Sequence, residues 1–345
     1  MAAGLALAAP TGAQAAKRTV FMGAPPESQR GLQRLKTEVN AFFPSSITVR
    51  TGDTVAFAPV GFHTAHFPRG GGRQPVIAPL GSKVAGVTDA AGAPFWFNGL
   101  DELGLNPALL RSNFGKTLTL RSQRIQSGLP LANRPRPMNV RFTRTGRFTY
   151  ICDVHPGMRG SVRVVGRRAS AHSRRAVAAR VRAQVAAARR TAVRLAAIRP
   201  PANVVSVGAA GRGGVELMDF LPERLTVPVG TTVRFAMPVG STEDHTATTG
   251  PGNPMTEPRS YLGTIAASFQ SPKFDPRATY PSERPPSTAA LSPQLHGNGF
   301  WNSGVMDAHA ATPPPGVSAV TFAAAGTYRF FCLIHPFMDA TVTAQ

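Results

Sequence analysis

The sequence predicts an all-β protein: two tandem β-sandwich domains joined by a helix rich in arginine and alanine. Three observations predict it. Short runs of β-branched and aromatic residues alternate with abundant glycine and proline, 34 and 32 of 345 residues, the composition of strands and turns. Two sequence blocks each occur twice, in the same order and at nearly the same separation. Between the copies lies a segment dense in alanine, the best helix former. The length also suits about two domains at roughly 150 residues each.

The opening block runs from Val39 to Ala58 and returns from Leu217 to Ala236. Phe42-Phe43-Pro44 answers to Phe220-Leu221-Pro222, Ile47-Thr48-Val49 to Leu225-Thr226-Val227, and Val55-Ala56-Phe57 to Val233-Arg234-Phe235. The closing block, Gly146 to Met158, returns as Gly326 to Met338. Val55 and Phe57 alternate with small or polar neighbours, as do Val233 and Phe235, the period of a half-buried strand. Phe148, Tyr150 and Cys152 share one parity, as do Tyr328, Phe330 and Cys332, so each cysteine ends a strand on its aromatic face.

Domain one is expected over 17–166 and domain two over 201–345. Inside them, 68–137 and 250–315 read as long irregular stretches without mutual resemblance, the kind of loop that is functional or partly disordered. A helical turn is expected at Asn106 to Leu110 and a strand at Thr117 to Leu120. The connecting segment, 167–200, holds neither an acidic residue nor a glycine. Val177, Val181, Val185, Ala188, Ala192 and Leu195 recur every three or four residues as one apolar stripe. A helix of five or six turns follows, stopped by Pro200 and Pro201. It reads either as a docking arm for an acidic partner or anionic envelope surface, or as a solvated spacer lying on one domain. The spacer is favoured, because charge runs are usually solvated faces.

The net charge of +21 is mostly arginine. It suits a polyanionic partner, and equally a G- and C-rich coding sequence that supplies arginine and alanine together. Nucleic-acid binding would rest on charge alone, without aromatics interleaved on a basic face. No apolar stretch is long enough to cross a membrane. Met1 to Ala16 reads as an incomplete leader with an Ala13-Gln14-Ala15 cleavage-like site, which favours export. Neither a phosphate-cradling glycine loop nor a Gly-x-Ser-x-Gly elbow occurs. Trp96 and Trp301 are expected to bury loops against the sandwich.

Each half closes on Cys-x-x-His-x-x-Met: Cys152, His155 and Met158, then Cys332, His335 and Met338. Thiolate, imidazole and thioether on one tight loop suit copper. A type 1 copper site needs a second histidine from elsewhere. The repeat offers it, since His63-Thr64-Ala65-His66 matches His245-Thr246-Ala247-Thr248. His63 and His245 are the expected ligands, and His66, aligned with Thr248, is incidental. Two further options for the cysteines are a single disulfide, which would leave both His/Met loops unexplained, and zinc, which has no use for a thioether.

These segments together resemble the cupredoxins, with loops most like those of amicyanin and pseudoazurin. The resemblance covers both ends of each domain but neither the long stretches nor the arginine helix. It implies an antiparallel Greek-key sandwich with copper at one end. It implies one type 1 copper ion held by His63, Cys152, His155 and Met158, and a second by His245, Cys332, His335 and Met338. It further implies a backbone N–H from Thr64 and Thr246 to the cysteine sulfur, and a loop histidine whose ring edge opens through an apolar patch of Pro156, Gly157, Pro336 and Phe337.

An extracytoplasmic electron carrier with a redox partner protein, itself acidic if charge guides docking, is therefore expected. The alternatives are a copper oxidoreductase of nitrite reductase or small laccase type with an added interface copper, and a copper storage or delivery protein. The sequence holds no His-x-His pair, and the remaining histidines, His66, His172, His296 and His309, read as surface residues. The oligomeric state is left open.

Overall fold

Val55 and Phe57 are fully buried, as their alternation requires, in the strand Thr54–Pro59. A computed structural model of the chain describes residues 15–308 and 315–345. His309 and all but the end of the leader-like stretch lie outside the described residues. In the first half, Thr54–Pro59 lies between Lys17–Met22, its parallel neighbour, and the antiparallel Met138–Arg141. That sheet adds Phe42–Phe43 at one edge and Thr117–Thr119 at the other. A second sheet sets Arg159–Val165 between Gly146–Ile151 and the parallel Ser46–Arg50. Val20, Val55, Phe57 and Val140 from one sheet meet Ile47, Val49, Tyr150, Val162 and Val164 from the other in one core.

The second half repeats this arrangement. Thr232–Ala236 is parallel to Val204–Gly211 and antiparallel to Val317–Phe322. In the facing sheet, Asp339–Ala344 lies between Gly326–Phe331 and the parallel Arg224–Val227. Phe220, Phe235, Val320, Phe330 and Val342 fill the core between the two sheets. The protein is all-β in its layers, two sandwiches joined by a helix.

The halves are not beads on a string. The first-half strand Thr37–Val39 pairs antiparallel with Val215–Leu221 and becomes the outermost strand of the second half's sheet. Helix α1 (Pro26–Gln33) and helix α2 (Arg174–Leu195) lie beside that junction. Helix α2 starts on a Ser173 cap, whose hydroxyl accepts from Ala176 N–H. Its stripe is buried at Val177, Val181, Ala188, Ala192 and Leu195, with Val185 partly so. The expectation of a spacer lying on one domain is corrected here. The helix packs on α1 and Phe42–Phe43 of the first half and on Val204–Gly211 and Val215–Leu221 of the second. No helix of the described residues is long and apolar enough to cross a membrane.

The long stretches carry more structure than a loop reading allows. The helical turn stands at Pro107–Leu109, capped by Asn106, and the strand at Thr117–Thr119. Phe95 and Phe97 of the first half pack with Leu262, Ile265 and Phe300 of the second. Trp96 donates its ring N–H across the junction to Pro281 C=O at 2.9 Å, and Tyr280 donates its hydroxyl back to Asp101 C=O at 2.6 Å. The two stretches bury each other, while Trp301 sits in the second core itself.

His296 is likewise no free surface histidine. Its Nδ1 lies 3.0 Å from Asp89 across the junction and its Nε2 lies 2.7 Å from Glu283. Burial works against a charged ring, but the two carboxylates outweigh it and raise the pKa above its ordinary value. A group raised in this way stabilises the fold fully below its unfolded value of about 6.5 and loses that contribution as pH climbs through the folded value. His296→Gln should therefore cost most stability below pH about 6 and progressively less above it. Denaturant unfolding across that range measures the effect, and a loss independent of pH would show that the ring serves only as packing.

Candidate metal centres

Each closing strand delivers its cysteine to the end of a sandwich, and a tight turn returns the chain. Cys152 N–H donates to Met158 C=O at 3.0 Å, and Met158 N–H to His155 C=O at 3.2 Å. The second turn repeats both bonds: Cys332 N–H to Met338 C=O at 3.1 Å and Met338 N–H to His335 C=O at 2.9 Å. Both methionines are buried in the same core cluster as their cysteine. The first histidines arrive from the other side of the fold. A positive-φ glycine backs each ring: Gly23 against His63 (φ +99°) and Gly208 against His245 (φ +91°). A side chain at either glycine would be strained by that backbone geometry, and at Gly23 its Cβ would also clash with the Val60 C=O and press on the His63 ring.

Two donor groups result among the described residues: His63, Cys152 and His155, and His245, Cys332 and His335. In each group the three donor atoms lie within 4.8 Å of one another. In the second, Cys332 Sγ is 3.6 Å from His245 Nδ1 and 3.8 Å from His335 Nδ1, and the two nitrogens are 3.2 Å apart. A point equidistant from all three then lies about 2 Å from each, within the ordinary range of metal–nitrogen and metal–sulfur bonds. In the first, His63 Nδ1 and His155 Nδ1 are 2.9 Å apart, and Cys152 Sγ is 3.7 Å from His155 Nδ1. The cysteines are both free, one in each group, so the disulfide option is not realised.

The backbone N–H expected at each sulfur is present, from Thr64 to Cys152 Sγ at 3.3 Å and from Thr246 to Cys332 Sγ at 3.4 Å. Each threonine hydroxyl also accepts the N–H of the residue after the cysteine, Asp153 at 2.7 Å and Leu333 at 2.8 Å. One side chain thus ties the histidine segment to the cysteine segment. Ala65 and Ala247 are tied in turn to Ser127 Oγ and Ser303 Oγ, at 3.0 and 2.8 Å. Gln126-Ser127-Gly128 and Asn302-Ser303-Gly304 are therefore a third repeated block, inside stretches in which no mutual resemblance was expected. The signal was a bare Ser-Gly after a polar amide, too short to stand out from composition.

The two surroundings differ. Asp153 is fully buried and accepts from Gln126 Nε2 at 2.6 Å, while its other oxygen lies 3.0 Å from His66 Nδ1. Burial alone would raise the Asp153 pKa, but His66 and the amide donors hold it below the ordinary carboxylate value. His66 stays outside the donor group, but it is a buried partner of Asp153 rather than a surface histidine, a correction visible in sequence only as the paired changes His66/Thr248 and Asp153/Leu333. His172, half-buried, accepts at Nδ1 from Thr48 N–H at 3.1 Å.

The ring-edge expectation needs correcting in the first half. His155 is only 4% exposed, because the second half covers it. Its Nε2 lies 3.3 Å from Glu243 Oε1. His335, half-buried, has its Nε2 3.9 Å from the other oxygen of the same carboxylate. Beside it Phe337 is 50% exposed, so the apolar patch survives on the second loop. The charge states follow. Burial disfavours ionised Glu243, but His155 outweighs it and holds the pKa well below the carboxylate range. Burial likewise opposes charge on His155 and Cys152. Glu243 nevertheless holds the ring well above its usual value, and the two imidazoles hold the thiol well below its own. In the second site burial prevails, pushing the Cys332 thiol up to about 11 and His245 down to about 3.

No protein-family description matches the chain, and no curated protein matches it. Among solved structures, it is similar to a methionine-to-alanine mutant of amicyanin in the Cu(I) form, at 17% identity, covering 44% of this chain and 89% of that one with a TM-score of 0.22. It is similar also to oxidised plastocyanin from Dryopteris crassirhizoma, at 19% identity, covering 41% of this chain and 99% of that one with a TM-score of 0.22. Likeness of that size carries no weight beside the donor geometry.

Thr246→Val keeps the shape and the N–H to sulfur but leaves the buried Leu333 N–H without an acceptor. It should cost about 1–3 kcal/mol in denaturant unfolding. A loss near zero would mean that the hydroxyl tie does not hold the two segments together.

Proposed function

We propose that the chain is an extracytoplasmic electron-transfer protein with one type 1 copper site in each half. The observation that carries it is the pair of matched donor triangles, two Nδ1 and one Sγ, each from distant segments and each with a buried methionine on the cysteine loop. His63, Cys152, His155 and Met158 would hold one ion, and His245, Cys332, His335 and Met338 the other. Bound copper would supply a one-electron couple between its monovalent and divalent states.

The protein's part is to hold the donors still and keep the sulfur dry. Strand ends and the threonine ties fix Cys152 and Cys332 against His63 and His245, so little rearrangement accompanies a change of charge. The backbone N–H at each sulfur withdraws charge from the thiolate and tunes its donor strength. Burial of both cysteines excludes water. The half-open His335 edge beside Phe337 offers a partner protein its approach, and the arginine-rich face of α2 would favour an acidic one. Export is part of the same proposal, in keeping with a leader-like N-terminus.

Loaded protein should carry two copper ions per chain and an intense blue thiolate-to-copper band, with type 1 EPR signals. Cys152→Ser and Cys332→Ser should each remove about half of that absorbance. Loss of all of it from either change would mean one shared site and overturn the assignment. Met158→Leu or Met338→Leu should shift one potential and leave copper bound, whereas copper loss would show that the thioether is needed to hold the ion. A third copper per chain would favour an oxidoreductase, and slow self-exchange with ready release to a chelator would favour storage or delivery.

A further inference from the structure

A buried carboxylate between the two centres is left over from the proposed function. Glu243 comes from the loop just before His245, yet it faces loop histidines of both halves. One oxygen lies 3.3 Å from His155 Nε2 and the other 3.9 Å from His335 Nε2. The loop is pinned from below, where Glu216 accepts from Thr242 N–H at 2.9 Å and from Ser241 Oγ–H at 3.2 Å. It is pinned from the first half by Asn40, whose Nδ2 donates to Thr242 Oγ1 at 2.9 Å and to Glu243 Oε1 at 2.6 Å. Glu243 is 5% exposed. A carboxylate so deeply desolvated is costly unless cationic or N–H partners surround it, and here the partners come from both halves.

We propose that Glu243 is a positioning residue shared by the two centres, which joins them into one coupled unit. The inference rests on the copper reading above. His155 and His335 both turn Nδ1 towards sulfur, which leaves their Nε2 atoms to face Glu243. A carboxylate on the outward nitrogen fixes the tautomer, orients the ring and makes the ligand more basic. Ordinarily one carboxylate serves one ligand. Here it lies 3.3 Å from His155 Nε2 and 3.9 Å from His335 Nε2, near enough to orient the first ring and to act on the second through its charge, so a charge change at either centre is felt by an anion that both share. Because an anion favours the more positively charged state of a neighbouring centre, Glu243 holds both reduction potentials down, more strongly on the His155 side where it is nearer.

Glu243→Gln removes the charge with little change of shape, and Glu243→Asp keeps the charge but withdraws it by one methylene. In the copper-loaded chain, redox titration of the blue bands should show both potentials raised in E243Q, the first-half centre more than the second, with E243D between E243Q and the wild type. In the copper-free chain, ring ¹⁵N spectra should show the Nε2 signals of both His155 and His335 displaced by E243Q. Potentials unchanged in a fully loaded E243Q, or a response confined to one histidine, would overturn the coupling. A wild-type chain that takes up no copper would instead overturn the functional reading, and the ring spectra would still decide whether Glu243 spans both histidines.

Discussion

A buried backbone N–H needs an acceptor, and in both halves that of the threonine after the first histidine finds it in a cysteine sulfur some ninety residues later, at the end of a β-strand. That single requirement organises much of the molecule. The threonine reaches the sulfur only if the histidine segment lies across the end of the sandwich. The segment lies there because its hydroxyl captures the next N–H of the cysteine strand, and because a serine from the middle of the domain captures the following backbone N–H. The histidine that precedes the threonine is then delivered beside the sulfur without any choice of its own.

The ends of each domain were legible because strand periodicity and donor types coincide there. Val55, Phe57, Val233 and Phe235 announce their strands, and Cys152 and Cys332 inherit their direction from Tyr150 and Phe330. Side chains around the donor groups were harder to see. Glu243 and Asp153 are ordinary acids in the chain, and only folding shows that each meets a histidine. Gly23 and Gly208 were invisible for a related reason, since a glycine among 34 gives no hint of a ring behind it. The long stretches misled most, because their apolar residues satisfy each other across the junction rather than along one strand or helix.

The junction accounts for the asymmetry between otherwise matched sites. His155 is sealed by the opposing half while His335 keeps a partly open edge beside Phe337. Asp153 and His66 form a buried ionisable pair on one side, where Leu333 and Thr248 leave neutral groups on the other, the Thr248 hydroxyl donating to Asn302 Oδ1 at 2.7 Å. Two matched donor groups therefore sit in different electrostatic surroundings.

The strand Thr37–Val39 has a practical consequence for dissecting the protein. A fragment beginning at residue 201 would keep every donor of its own centre yet lose the outermost member of its larger sheet. Val215 to Leu217, which pair with it and are buried, would then present bare N–H and C=O groups to solvent, the usual template for chain-to-chain pairing and aggregation. The second centre is best isolated by silencing the first in the intact polypeptide rather than by cutting between them.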